Sequence, residues 1–129
     1  MTARRRTARD AGMVTAETAV LMPVLVVVLA AAVFVLACVA AQLKCVDAAR
    51  SAARVAARGE PVAVVVGTAD RLAPSGARTT VGAGRRLAGT ATVEVVVRAQ
   101  VRPFGGALRG LPAVGVSARA VAAVEPGAP

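Results

Sequence analysis

A single acidic residue introduces a long apolar segment, and this arrangement constrains the chain more than any other feature. Residues 18–43 carry no charge, and Glu17 is the only charged residue between Asp10 and Lys44. As a helix, the uncharged segment would extend for about 39 Å, enough to cross a hydrocarbon core of about 30 Å. A carboxylate in lipid is costly unless it is paired, so we identify Glu17 as a candidate functional residue.

The charges that flank the apolar segment predict its orientation. Four arginines precede it, which places the N-terminal side in the cytoplasm by the positive-inside rule: Arg4, Arg5, Arg6 and Arg9. Basic residues also follow the segment and reduce this asymmetry: Lys44, Arg50, Arg54 and Arg58. Pro23 falls early in the segment, where neighbouring helices can cover the carbonyl that it frees.

Composition limits the classes of function. The 129 residues have room for one membrane helix and one small domain, and 57% of them are hydrophobic. The net charge of +9 is compatible with an anionic lipid or cell surface, whereas scattered basic residues without aromatic platforms disfavour nucleic acid. The chain has no His and its acidic residues are dispersed, so we expect neither an enzyme, a metal site nor a cofactor.

The helical pattern continues beyond the membrane segment. An Ala-Ala-Arg triplet recurs every four residues at 48–50, 52–54 and 56–58, and both residue types favour helix. Gly59 and Pro61 then indicate a stop and a restart. The pattern predicts one helix over about residues 14–58, with an arginine stripe that is either a solvated face or a contact surface for lipid headgroups or another subunit.

The rest of the chain predicts a small α+β domain. A second helix over about residues 61–73 would present one apolar face: Val62, Val65, Val66, Ala69 and Leu72. The period then changes to two, with Val93, Val95, Val97, Ala99 and Val101 on one side of a strand. Residues 114–120 repeat the alternation, and Thr79 and Val81 indicate a shorter first strand. We therefore predict an antiparallel sheet of about three strands, stabilised by packing against the helices.

The two cysteines lie seven residues apart in the predicted helix. Cys38 and Cys45 would share a face but stand about 10 Å apart, too far for a disulfide within one chain. They are interpreted as small apolar core residues or, alternatively, as partners in a bond between subunits.

The start of the chain resembles a type IV prepilin processing site. A short basic leader ends in glycine, and a glutamate stands fifth after it, in Gly12-Met13-Val14-Thr15-Ala16-Glu17. With Pro23 and the Ala/Arg-rich stretch at 46–54, residues 12–23 are similar to the TadE-like minor pilins of tight-adherence pili, although Thr18 replaces the aromatic residue of many relatives. The resemblance implies cleavage between Gly12 and Met13 by a prepilin peptidase, and pairing of Glu17 with the new amine of another subunit.

This resemblance implies a domain organisation and a set of partners. Residues 1–12 would be the leader, 13–43 the transmembrane helix, 44–58 its extracytoplasmic extension and 59–129 the head. The partners would be the prepilin peptidase, other pilin subunits with the assembly machinery, and membrane lipid. The alternative is a single-pass, membrane-anchored surface binding protein that does not polymerise.

Two further interpretations remain open at this stage. Residues 35–38 resemble a lipobox, in which Cys38 would be lipidated and become the N-terminus, although Glu17 would then lie inside the signal sequence. Glu17 itself has a simpler interpretation, as an acid in the first helical turn that favours the helix dipole.

Overall fold

The fold is α+β, as predicted. A computed structural model describes the backbone of residues 3–107 and 110–124, and side chains from residue 17 onward within those ranges. Contacts divide the chain into two compact units, Met1–Val35 and Leu36–Pro129. In chain order the elements are α1 (Ala3–Ala57), α2 (Val62–Leu72), β1 (Arg78–Ala83), β2 (Thr92–Val101), a 3₁₀ helix (Pro103–Gly106) and β3 (Val114–Ala123).

Helix α1 is longer than predicted at its N-terminal end. It begins at Ala3 rather than near residue 14, because the alanines and arginines of the basic leader themselves favour helix. At the other end it stops at Ala57, one residue before the predicted boundary. Gly59 follows with a φ of 78°, the left-handed conformation typical of a residue that ends a helix.

The apolar segment of α1 is uncovered within the chain. Leu25, Val27 and Leu29 each expose 66% of their surface, and residues 17–29 are all exposed. Among the described residues, one helix is long and apolar enough to cross a membrane, within Glu17–Ala57. The chain thus contains one long apolar helix near its N-terminus, compatible with a single-pass membrane anchor.

The three strands form one antiparallel sheet in the order β1-β2-β3. The predicted alternation along β2 is confirmed, since Val95, Val97 and Ala99 are buried, with Val93 and Val101 half-buried at its ends. These residues of β2 lie on the buried side of the sheet, which we call its inner face. On the neighbouring strands this face consists of half-buried residues at every second position: Thr79 and Val81 on β1, and Val116, Ala118, Ala120 and Ala122 on β3.

The core of the second unit forms where α1 packs against this inner face. The helix contributes only small side chains to the buried cluster: Cys45, Ala48, Ala49, Ala52 and Ala53. Because these helix side chains are small, the larger side chains of Val95 and Val97 on β2 fill much of the space between helix and sheet. The Gln42 side-chain amide also donates a hydrogen bond to the Ser117 carbonyl of β3 at 2.9 Å.

Helix α2 lies within one residue of its predicted bounds at each end, and its predicted apolar face is buried in the middle of the helix. Val65 and Ala69 are buried, whereas Val62 and Leu72 expose 61% and 44% of their surface. The helix has 11 residues, and only its middle turns contact the core.

Candidate functional site

The predicted processing site lies within α1. Gly12 and Met13 both have helical backbone, in the turn before Glu17. Both residues precede residue 17, the first whose side chain the structure describes. Cleavage between these two residues therefore stays a prediction.

Glu17 lies well inside α1 and not at its start. The helix begins at Ala3, and its first turn contains no acidic residue. The helix dipole acts within the first and last turns only, so it gives Glu17 no stabilisation in the uncleaved chain. The simpler interpretation of Glu17 as a first-turn acid is therefore wrong for the precursor; a chain that began at Met13 would have this carboxylate at its fifth residue.

Exposed apolar side chains follow Glu17 along the helix. Glu17 itself is exposed, and so are Val20, Leu21 and Met22 in the next turn. A soluble protein rarely exposes an apolar surface as long as that of residues 19–29, whereas lipid or neighbouring helices would cover it. The carboxylate thus stands at the beginning of a surface suited to an apolar environment, where a bare charge is costly.

The cysteines differ in their surroundings. Cys45 is fully buried in the core of the second unit, and desolvation raises the pKa of its thiol. Its interpretation as a small core residue is confirmed. Cys38 is half-buried, both cysteines are free, and α1 continues without a break through Cys38.

The arginine stripe is exposed. Arg50, Arg54 and Arg58 all face solvent, which agrees with a solvated face and leaves them accessible to a partner. Asp47 is also exposed, and no hydrogen bond or ion pair joins it to Arg50 or Ser51 among the described side chains.

A pair of arginines on the outer face of the sheet was not predicted from the sequence. Arg78 of β1 stands directly opposite Arg98 of β2, and both line an open basin of about 750 Å³. Strand register determines this pairing, and the sequence pattern did not specify which residues of β1 and β2 face each other.

Comparison with known proteins leaves the family open. The chain matches no protein-family model, no curated protein and no solved structure. Within the described part of the chain, no three His, Cys, Asp or Glu side chains are grouped as a metal site would require.

Proposed function

We propose that this chain is a minor pilin or pseudopilin-like component of a tight-adherence type IV pilus system. It is made as a precursor and cleaved after Gly12 by a prepilin peptidase. The N-terminus lies in the cytoplasm, α1 crosses the cell membrane, and the α+β unit lies outside the cytoplasm. The proposal rests on the resemblance of residues 12–23 to TadE-like proteins together with the properties of α1.

One observation carries the proposal further than the sequence resemblance does. Glu17 is an exposed carboxylate at the start of an exposed apolar helical surface. In a simple membrane anchor such a carboxylate would only destabilise the inserted helix, and Gln or Ala at this position would insert more favourably. A subunit that must meet another subunit inside the membrane gains a specific partner from it.

The partner in this proposal is created by cleavage. Removal of residues 1–12 leaves a cationic amine on Met13, which is costly in lipid for the same reason as Glu17. A neighbouring subunit shifted by a few residues along the helix axis brings its own Glu17 to that amine. The pair neutralises both charges, and the requirement for this contact fixes the stagger between subunits.

The second half of α1 connects the membrane-spanning part of the helix to the α+β unit. Its small buried residues pack against the sheet, so the helix that packs with other subunits also supports the exported unit. The exposed Arg50, Arg54 and Arg58 remain on the opposite surface for lipid headgroups or neighbouring subunits.

The experiment that tests the pairing replaces Glu17 by glutamine. Glu17→Gln should still be cleaved, since the scissile bond is untouched, but it should fail to co-purify with sheared pili or with other pilin subunits. Asp47→Asn is the matched control, because Asp47 is an exposed acid on the same helix beyond the apolar segment. Normal recovery of the Glu17→Gln variant in assembled material would refute the pairing.

A second function, a membrane-anchored binding protein that never polymerises, is favoured by the basin on the sheet. Such a protein needs neither cleavage at Gly12 nor a carboxylate at position 17. The wild-type chain in the same experiment separates the two, since a simple anchor would not co-purify with pili or pilin subunits even with Glu17 in place.

A further inference from the structure

Two arginines face each other across adjacent strands on the outer side of the sheet. The register pairs Arg78 of β1 with Arg98 of β2, and both side chains are exposed. Directly opposed residues have Cβ atoms about 4.5–5.5 Å apart, and like charges at this spacing destabilise a sheet. Folding alone gives no reason for such a pair.

A third arginine on the same face of the sheet is paired with an acid. Arg119 of β3 forms an ion pair with Glu94 of β2, with 3.2 Å between the Arg119 Nε and the Glu94 Oε1. Neither Arg78 nor Arg98 has an ion-pair or hydrogen-bond partner among the described side chains. Among the described residues of this face the acid is Glu94, and its ion pair with Arg119 leaves Arg78 and Arg98 without an acidic partner.

The arginines line a basin whose other described groups are neutral. The basin has a volume of about 750 Å³, and Ser75, Gln100 and Ser117 supply polar side chains at its wall. Its described lining contains no acidic residue: Ser75, Gly76, Arg78, Arg98, Ala99, Gln100, Gly115, Val116 and Ser117.

Gly115 keeps the basin open. It pairs with Gln100 across β2 and β3, and a Cβ placed on it would meet no atom within 4 Å. Its φ does not require glycine, so a side chain here would extend into free space without strain. Substitution at this position offers a way to fill the basin without removing a charge.

We propose that this basin binds a phosphate monoester. Two guanidinium groups match the charge of about −1.5 to −2 that a phosphate monoester carries at neutral pH, whereas a single carboxylate would leave one arginine charge unbalanced. Three phosphate oxygens can accept hydrogen bonds from both guanidinium groups, from the serine hydroxyls and from the glutamine amide. A volume of about 750 Å³ exceeds that of the phosphate group and leaves room for the organic part of the ester. The proposal is independent of pilus assembly.

The test is a calorimetric titration of the full-length chain in a non-ionic detergent and a phosphate-free buffer. Glycerol 3-phosphate is the probe and glycerol is the neutral control. The wild type should bind the ester and not glycerol, with an affinity that falls as salt rises. Arg78→Gln, Arg98→Gln and Gly115→Val should each weaken binding about tenfold or more. Arg119→Gln removes one positive charge from the same face outside the basin, and should leave binding within about twofold.

A parallel titration with phosphatidic acid in mixed micelles identifies the source of the phosphate. Binding of either probe that depends on Arg98 but not on Arg119 supports the proposal, and the probe that binds shows whether the ester is soluble or part of a lipid. A stability measurement adds an independent expectation: without ligand, Arg98→Gln should unfold at a higher urea concentration than wild type, because it removes the like-charge pair. Binding of neither probe, or equal losses in Arg98→Gln and Arg119→Gln, would overturn the proposal.

Discussion

Thr92 is a buried polar residue, and its hydroxyl occupies space that is free only because residue 84 is a glycine. The hydroxyl donates a hydrogen bond to the Arg85 carbonyl at 2.6 Å, while the Gly84 N–H donates to the Thr92 carbonyl at 2.7 Å. A Cβ on Gly84 would overlap the Thr92 hydroxyl oxygen. The close approach of these two residues therefore requires glycine for space and not for an unusual backbone conformation.

We predict that Gly84→Ala lowers the free energy of unfolding by about 1–3 kcal/mol, because the Thr92 side chain must move and leave its buried hydroxyl without a partner. The measurement is urea unfolding of the detergent-solubilised chain, followed by pulse proteolysis. Gly82→Ala is the control, since a Cβ there meets nothing within 4 Å, and it should leave stability unchanged or raise it by up to about 1 kcal/mol. Equal effects of the two substitutions would contradict this account of the contact.

The buried thiol of Cys45 gives the stability a pH dependence. Burial raises its pKa above the usual value of 9.0, so the folded state favours the neutral thiol. Its contribution to stability is therefore fully present below pH 9.0 and is lost as the pH rises from there through the raised pKa. Wild type should lose stability as the pH rises above 9.0, and Cys45→Ala should lose less, while Cys38→Ala should behave like wild type. Identical pH profiles for wild type and Cys45→Ala would show that the thiol does not contribute.

At the scale of elements, α1 has two halves with different surfaces. Most of residues 20–29 expose long apolar side chains, whereas the buried positions of α1 beyond Leu36 are alanines and one cysteine. The first half is thus suited to lipid and other helices, and the second half to close contact with a sheet. Alanine at the buried positions also means that the core has little room for a larger side chain.

We predict that Ala52→Leu destabilises the second unit by about 1–3 kcal/mol, because three additional carbon atoms must fit against the valines of β2. Ala63→Leu is the control, since Ala63 lies exposed on α2 and gains the same atoms in solvent. Hydrogen exchange of the β2 amides, measured by mass spectrometry, would show faster exchange for Ala52→Leu only. Unchanged protection in Ala52→Leu would mean that the helix does not pack closely on the sheet.

Most elements were predictable from sequence because their patterns are local. The period of two along residues 92–101 and 114–120 located β2 and β3, and Gly59 located the end of α1. The start of α1 was misplaced because the basic leader was interpreted by its charge rather than by its helix propensity. The Arg78–Arg98 pair was missed because it depends on the register between β1 and β2, which joins residues 20 positions apart and which no local pattern specifies.

At the scale of the whole molecule, one helix connects a candidate processing site, an apolar surface and a folded α+β unit. Each part alone is common, and their order is the one expected of the proposed pilin subunit. The proposed assembly depends on a single chemical event, the release of residues 1–12, because only that event supplies the amine with which Glu17 is proposed to pair.

The intact mass of the chain extracted from the membrane tests this event most directly. The account predicts a mature chain that begins at Met13, and a Gly12→Leu variant that keeps residues 1–12 because a bulky side chain obstructs the peptidase. A wild-type chain that retains residues 1–12 would contradict the account, and so would one that begins at Cys38 with the added mass of a lipid.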